Sequence, residues 1–428
     1  MSLTSRTRRA FVAGAVVVSS LFGMFAASEA EAKDRTVKIW FGRQDFIPDD
    51  QFKQFEADYP GIKIEFEVIR LEDVTAQLVL AIRSGTAPDI IQMYWRDVSQ
   101  LASGGVIKNF AHQIEEMKTR FPETHANLAP MTWIGASDSD GNLYGLNLYA
   151  SSIYLTYRKD WMEEAGIALP LETTDRVIEA AKKLSQIGAG GDRAGISLLG
   201  CCSNPNWELP LFMAMGGVMK EGVPMVDSEA GIAWIEFYQT MMRDKAASPD
   251  TSSWDSGQMR AAYIGERAAI MHEGEHIYVE VQKQVPYESG KWTFERLPTR
   301  PGQTEPHVQA GFAFPYIVTI ANKDEEAAML ALEYLARPEF TKQVSIRYQP
   351  STNNAVHSDP EYIAAKPWAA DIAPLSSTVI PMPHHPTRSI QVHDVVKQLR
   401  DTMIAQPNAD ARALAAEYQQ KLNDAAGF

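Results

Sequence analysis

The stretch Gly141-Asn142-Leu143-Tyr144-Gly145-Leu146-Asn147-Leu148-Tyr149-Ala150-Ser151-Ser152-Ile153-Tyr154-Leu155-Thr156-Tyr157-Arg158-Lys159-Asp160-Trp161 decides the fold. It follows a turn signal, Asp138-Ser139-Asp140-Gly141. From Leu143 to Tyr157 almost every residue is apolar, aromatic, β-branched or small. That composition suits a strand buried on both faces. The run is about twice the usual strand length of ~5–6 residues. One sheet rarely needs so long a segment, whereas a chain passing from one lobe into another does. We read it as a crossover between two lobes.

The chain is 428 residues long, too long for one compact core, so two domains are expected. Its formal net charge of −14 argues against nucleic acid and against anionic membrane surfaces as partners. The N-terminus reads as an export signal over residues 1–32. Arg6, Arg8 and Arg9 precede an apolar, small-residue run from Ala10 to Ala27, and Ala30-Glu31-Ala32 supplies the small-x-small cleavage pattern. Thr7-Arg8-Arg9-Ala10-Phe11-Val12 also fits a twin-arginine signal, and the two export routes stay open. No Cys lies near Ala32, so no lipid anchor is expected, and the mature chain would start at Lys33. The only cysteines, Cys201 and Cys202, are adjacent. An oxidising compartment favours a disulfide. Adjacent Cα atoms sit closer than disulfides usually allow, so two buried free thiols are the plainer reading.

Flanking the crossover, the chain alternates strand and helix. Thr36 to Phe41 reads as a strand, Phe52, Phe55 and Tyr59 as one helix face, and Ile62 to Val68 as an alternating strand. Leu71 to Ser84 reads as a helix and Ala87 to Met93 as a short buried strand. This order implies a mostly parallel sheet with helices on its faces. In such sheets ligands bind beyond the carboxyl ends of the strands, which nominates the loops after Phe41 and after Met93. Later helices are expected over 174–187, 229–244, 325–335 and 338–346. Ala310 to Ala321 is a second long apolar run, read as the return crossover. The chain from Asp359 onward reads as helical with a Pro-rich break from Pro381 to Pro386.

Several pieces carry a family resemblance: Phe55-Glu56-Ala57-Asp58-Tyr59-Pro60-Gly61-Ile62-Lys63-Ile64, Ser84-Gly85-Thr86-Ala87-Pro88-Asp89-Ile90, Gly141 to Leu146, Tyr157-Arg158-Lys159-Asp160 and Gly265 to Met271. In this order, and with the helical tail, they resemble the extracellular solute-binding proteins of carbohydrate ABC importers, the group that includes the maltose-binding protein. The resemblance implies an α/β, two-lobed periplasmic-binding-protein fold with discontinuous lobes and a helical C-terminal tail on the second. Lobe 1 would be 33–147 with 304–350, and lobe 2 would be 148–303 with 351–428. It implies a periplasmic monomer that captures a mono- or oligosaccharide or a sugar derivative and hands it to membrane permease subunits, with no cofactor, no metal and no catalysis.

By the same resemblance, ligand contacts fall on Phe41, Arg43, Gln44 and Asp45 after the first strand, and on Tyr94, Trp95, Arg96 and Asp97 after the third. Further contacts would be Ser151 at the hinge, and Asn204, Asn206 and Trp207 at a helix start of lobe 2. The family often carries a Trp two residues after the glycine that is Gly274 here; this chain has His276, which suggests a polar contact instead. His385, Thr387 and Arg388 would reach back from the tail. Sugar sites need aromatic faces for the apolar side of a ring, and carboxylates, amides and guanidinium groups for its hydroxyls. The Arg residues leave room for an anionic sugar conjugate. A glycosidase would need two facing carboxylates, and these loops offer only Asp45 and Asp97 among Arg and amides.

Overall fold

The computed structural model describes residues 35–138, 140–187, 193–203, 205–376 and 379–428. The expected export signal and Asn204 lie outside the described residues. Among the described residues the strands are β1 (Arg35–Phe41), β2 (Ile62–Val68), β3 (Ile90–Gln92), β4 (Gly145–Arg158), β5 (Ala194–Ser197), the small hairpin β6 (Met219–Lys220) and β7 (Val223–Pro224), β8 (Ala268–Gly274), β9 (Trp292–Glu295), β10 (Ala310–Val318) and β11 (Ile380–Pro381).

One sheet runs through both lobes in the order β2-β1-β3-β10-β4-β8-β5, with β11 beside β10 and β9 beside β4. The first three strands are mutually parallel, as the alternating strand–helix order predicts. The helix Leu71–Ser84 covers this end through Leu71, Val74, Leu78 and Ala81, a 3–4 spacing that puts all four on one buried stripe.

Strand β4 is the crossover. Its first half, from Gly145 to Ser152, lies antiparallel to β10; its second half, from Ile153 to Tyr157, lies antiparallel to β8. Thirteen of its fourteen residues are buried. The change of partner falls between Ser152 and Ile153. Strand β10 is the return crossover, paired with β3 through Tyr316, Ile317 and Val318 and with β4 along most of its length. A third passage was not expected from sequence: Ile380 and Pro381 add to the edge of β10 beside Ala310 and Gly311. Proline fixes φ at about −65°, close to the extended polyproline value, and lacks an N–H, so it is tolerated here at a sheet edge.

Beyond β8 the helices Thr174–Ile187 and Glu229–Arg243 pack on the second lobe, and the tail helices Ser389–Ala405 and Ala411–Ala426 lie against Glu229–Arg243. Gln239 Nε2 donates to the carbonyls of Gln406 and Ala409, both at 3.0 Å, fixing the tail to this lobe. The first tail helices sit elsewhere. Pro360–Ala365 packs beside Pro338–Arg347, with Lys342 Nζ 3.0 Å from Asp359.

The structure corrects the plainer reading of the cysteines: Cys201 and Cys202 are joined as a disulfide, and Cys202 is exposed. Oxidation removes two thiols that have no packed interior to sit in.

Candidate functional site

A cavity of about 210 Å³ opens where the strand-end loops of one lobe face the helix starts of the other. Gly42, Arg43 and Tyr94 border it from the loops after β1 and β3, with Arg70, Leu71 and Glu72 at the start of the second helix. Asn206, Trp207, Ser256, Arg260 and His276 border it from the opposite side. Phe312 and Phe314 come from β10, where their spacing of two puts both rings on one face. Tyr348 and Gln349 close it from the end of the helix Pro338–Arg347.

The rings are held in place by charge as well as packing. Arg43 lies 4.6 Å over Tyr348, and Arg96 lies 4.2 Å over Tyr94. Tyr94 OH donates to Glu72 at 3.1 Å. Arg260 sits mid-helix on Ser256–Ile264, whose start is fixed by a capping box between Asp255 and Gln258. From there its Nε donates to Glu273 at 2.6 Å, its Nη2 lies 3.1 Å from His276 Nε2, and its guanidinium carbon is 5.7 Å from the Trp207 ring.

His276 is neutral. Burial, then the charges of Arg260, Arg43 and Lys366, push its pKa well below the ordinary histidine value. Arg260 can only donate, so Nε2 accepts and the ring proton sits on Nδ1. Among the described residues that nitrogen has no partner, and neither have Trp207 Nε1 and Gln349 Oε1. Buried polar groups are normally paired, and an orphan at a cavity wall marks where a ligand or water would bond.

Of the residues nominated from sequence, Arg43, Tyr94, Asn206, Trp207 and His276 line this cavity. Arg96 lies just behind it, 3.5 Å from Asn206 Oδ1, bridging the two sides. Asp45 ion-pairs with Arg43 at 3.0 Å, and Gln44 beside it is exposed. Phe41 is fully buried against Phe52 and Tyr316. Trp95 turns inward, its Nε1 on the Met382 carbonyl at 3.2 Å and its ring stacked on Phe312. Asp97 is held by Thr75 and, at the start of the tail helix, Ser389. Ser151 is buried in β4 opposite Phe312. His385 packs on Phe428, its Nδ1 accepting the backbone N–H of Thr387 and of Arg388, whose guanidinium lies against Gly427; all three sit in the tail, away from the cavity-lining set.

Sequence reasoning did not single out Arg70, Glu72, Ser256, Arg260, Phe312, Phe314, Tyr348 and Gln349. The two Phe residues carried a usable signal, alternating along the return crossover. Arg260 carried none, since it lies inside an ordinary helix.

Three passages between lobes and a polar, ring-lined cavity at the strand ends define a hinged two-lobed α/β protein of the periplasmic-binding class. Residues 50–371 match the profile of the bacterial extracellular solute-binding proteins, and the chain belongs to that family. The lactose-binding protein of Rhizobium radiobacter is 22% identical over 360 residues, 79% of each chain. A binding protein of Brucella abortus (strain 2308) is 22% identical over 338 residues, 78% of each chain. An ABC substrate-binding protein of Listeria monocytogenes, solved in complex with cycloalternan, has the same fold, with a TM-score of 0.76 at 20% identity over 92% of this chain and 100% of that one.

Proposed function

We propose that this chain is the substrate-binding component of an ABC importer, and that it captures a mono- or oligosaccharide or a sugar derivative in the cavity between its lobes. The observation that carries this reading is the wall of the cavity. It combines five aromatic rings (Tyr94, Trp207, Phe312, Phe314, Tyr348) with polar atoms on Trp207 and Gln349 that have no partner among the described residues. Rings stack on the apolar face of a sugar while isolated donors and acceptors select its hydroxyls. Lobe closure buries those groups, so a ligand lacking one hydroxyl leaves a partner unpaired.

In this reading residues 33–147 with 304–350 make lobe 1, and 148–303 with the tail helices Ser389–Ala405 and Ala411–Ala426 make lobe 2; the helix Pro360–Ala365 packs beside Pro338–Arg347 of lobe 1 rather than on lobe 2, where the resemblance puts all of 351–428. Residues 1–32 direct export and are removed, the mature monomer works in the periplasm, and permease subunits receive the sugar. The protein catalyses nothing: Asp45 is engaged by Arg43, and Asp97 by Thr75 and Ser389, so neither is free to act on a glycosidic bond.

A second reading, an anionic sugar conjugate, draws on Arg43, Arg70 and Arg260 at the cavity wall. Each already faces a carboxylate: Asp45 at 3.0 Å, Glu72 at 3.8 Å and Glu273 at 2.6 Å. The neutral sugar therefore ranks first. A thermal-shift screen of neutral saccharides, uronates and sugar phosphates tests both, because a ligand at 100 times its Kd adds about 2.7 kcal/mol of stability. Stabilisation by neutral sugars supports the first reading, and stabilisation by anionic ones alone supports the second. Turnover of any saccharide overturns both.

A further inference from the structure

We propose that the Cys201–Cys202 disulfide is a positioning element of the cavity, holding the segment that carries Asn206 and Trp207, and that a dithiol reductant loosens this wall. The proposal rests on the reading above that the cavity is the ligand site.

The loop starts at Gly200, between β5 and the helix Glu208–Ala214, and delivers Asn206 and Trp207 to the cavity. Its upstream end is pinned. The N–H groups of Gly200 and Cys201 both donate to the Trp254 carbonyl at 2.9 Å, and Gly200 packs so closely that a Cβ would meet the Thr251 carbonyl oxygen at 1.5 Å. Downstream, the Ser203 carbonyl accepts Arg400 Nη1 at 2.9 Å, and Ser203 Oγ accepts the N–H of Ser256, itself a cavity residue, at 3.4 Å.

Between these anchors the chain reverses at Cys202. Its φ is +66°, in the left-handed region that side-chain-bearing residues rarely occupy, and the Ser203 N–H donates back to the Cys201 carbonyl at 2.7 Å. No glycine occupies this position to make the reversal easy. The covalent link to Cys201 is what holds Cys202 there. Without it, Cys202 is free to return to an ordinary conformation, and Ser203, with its contacts to Arg400 and to the cavity residue Ser256, shifts with it.

Cys202 is exposed, so a reductant can reach it. One thiolate of a dithiol attacks a sulfur of the pair, forming a mixed disulfide and expelling the other sulfur as a thiolate. The second thiol of the reductant then closes on its own sulfur and releases the first cysteine. Two electrons and two protons pass to the protein as two cysteine thiols, and the dithiol leaves as a cyclic disulfide.

The test uses the mature protein without ligand, before and after dithiothreitol, with thiols counted by a chromogenic disulfide reagent and amide hydrogen exchange followed by mass spectrometry. Two thiols should appear per chain. Exchange should speed up several-fold in peptides spanning residues 205–214 and stay unchanged over 71–84. The double variant Cys201→Ser/Cys202→Ser should match the reduced protein, whereas Cys201→Ser/Cys202→Gly should fall back towards the oxidised one, because glycine accepts the reversed conformation unaided. Failure of thiols to appear, or unchanged exchange over 205–214 once they have, overturns the proposal. The saccharide screen bears on the receptor reading alone, so the two can fail separately.

Discussion

Arg260 Nε donates to Glu273 Oε2 at 2.6 Å, and this contact joins the cavity wall to the interior of the second lobe. Glu273 is fully buried in β8, while the Arg260 side chain stays 23% exposed and borders the cavity. The pair therefore couples binding to folding. Removing one partner of a buried ion pair leaves the other uncompensated, at a cost of about 3–5 kcal/mol. Arg260→Ala should lower stability in chemical denaturation by an amount near the bottom of that range, since one partner is partly exposed. Arg260→Lys should restore most of the stability but not the affinity for the saccharide found in the screen, because an ammonium cannot reach Glu273 and His276 together in a planar fork.

Trp207→Ala should weaken saccharide binding roughly two- to tenfold, the loss of a stacking contact worth about 0.5–1.5 kcal/mol. The indole is only partly buried, so circular dichroism should show the fold intact. Calorimetric titration measures the affinity. An unchanged Kd would mean the aromatic platform lies elsewhere, on Tyr94 or Tyr348.

Gly145 opens the crossover strand at its tightest point. A Cβ there would meet the Tyr316 carbonyl oxygen at 1.8 Å, across the β4–β10 ladder. Gly145→Ala should therefore force the two crossovers apart and destabilise the protein by about 1–3 kcal/mol or more. A fall in melting temperature measures this.

Glu295 supplies a pH dependence. Burial pushes its pKa from 4.5 up to about 7, although it accepts the Leu171 N–H at 2.8 Å and the Tyr157 hydroxyl at 3.4 Å. Between these values the folded state binds more protons than the unfolded one, so stability falls as pH rises through that window. Glu295→Gln removes the titration. It should stabilise the protein above pH 7, by at most about 3 kcal/mol, with the gain shrinking towards pH 4.5. Melting temperatures of both proteins across this range provide the measurement; a gain that grows on acidification would refute the assignment.

The crossover was legible in sequence because burial on both faces leaves a signature at every position of β4. Where it changes neighbour, between Ser152 and Ile153, was not, because pairing depends on chain brought from β8 and β10. The rule that ligands gather at strand ends nominated two loops that border the cavity but could not orient their side chains. In the tight turn Trp95–Asp97, Trp95 faces the Met382 carbonyl and Asp97 faces the tail helix, while Tyr94 just before it borders the cavity. Trp95 and Asp97 diverge because a 3₁₀ turn rotates successive side chains by about a third of a circle, and Tyr94 points a third way because its own backbone is extended. Tyr348 and Gln349 follow a helix that reads as plain scaffold, and only the folded chain brings them opposite Arg43 and His276.

Strands β4 and β10 lie edge to edge as an antiparallel ribbon, and both lobes hang from it. A ribbon of this sort twists readily yet resists sliding, since sliding would break its cross-links and twisting does not. Lobe closure by such twisting would exchange no main-chain bond with water. Every cycle would return the rings and amides to the same alignment, as a leaf spring returns a blade.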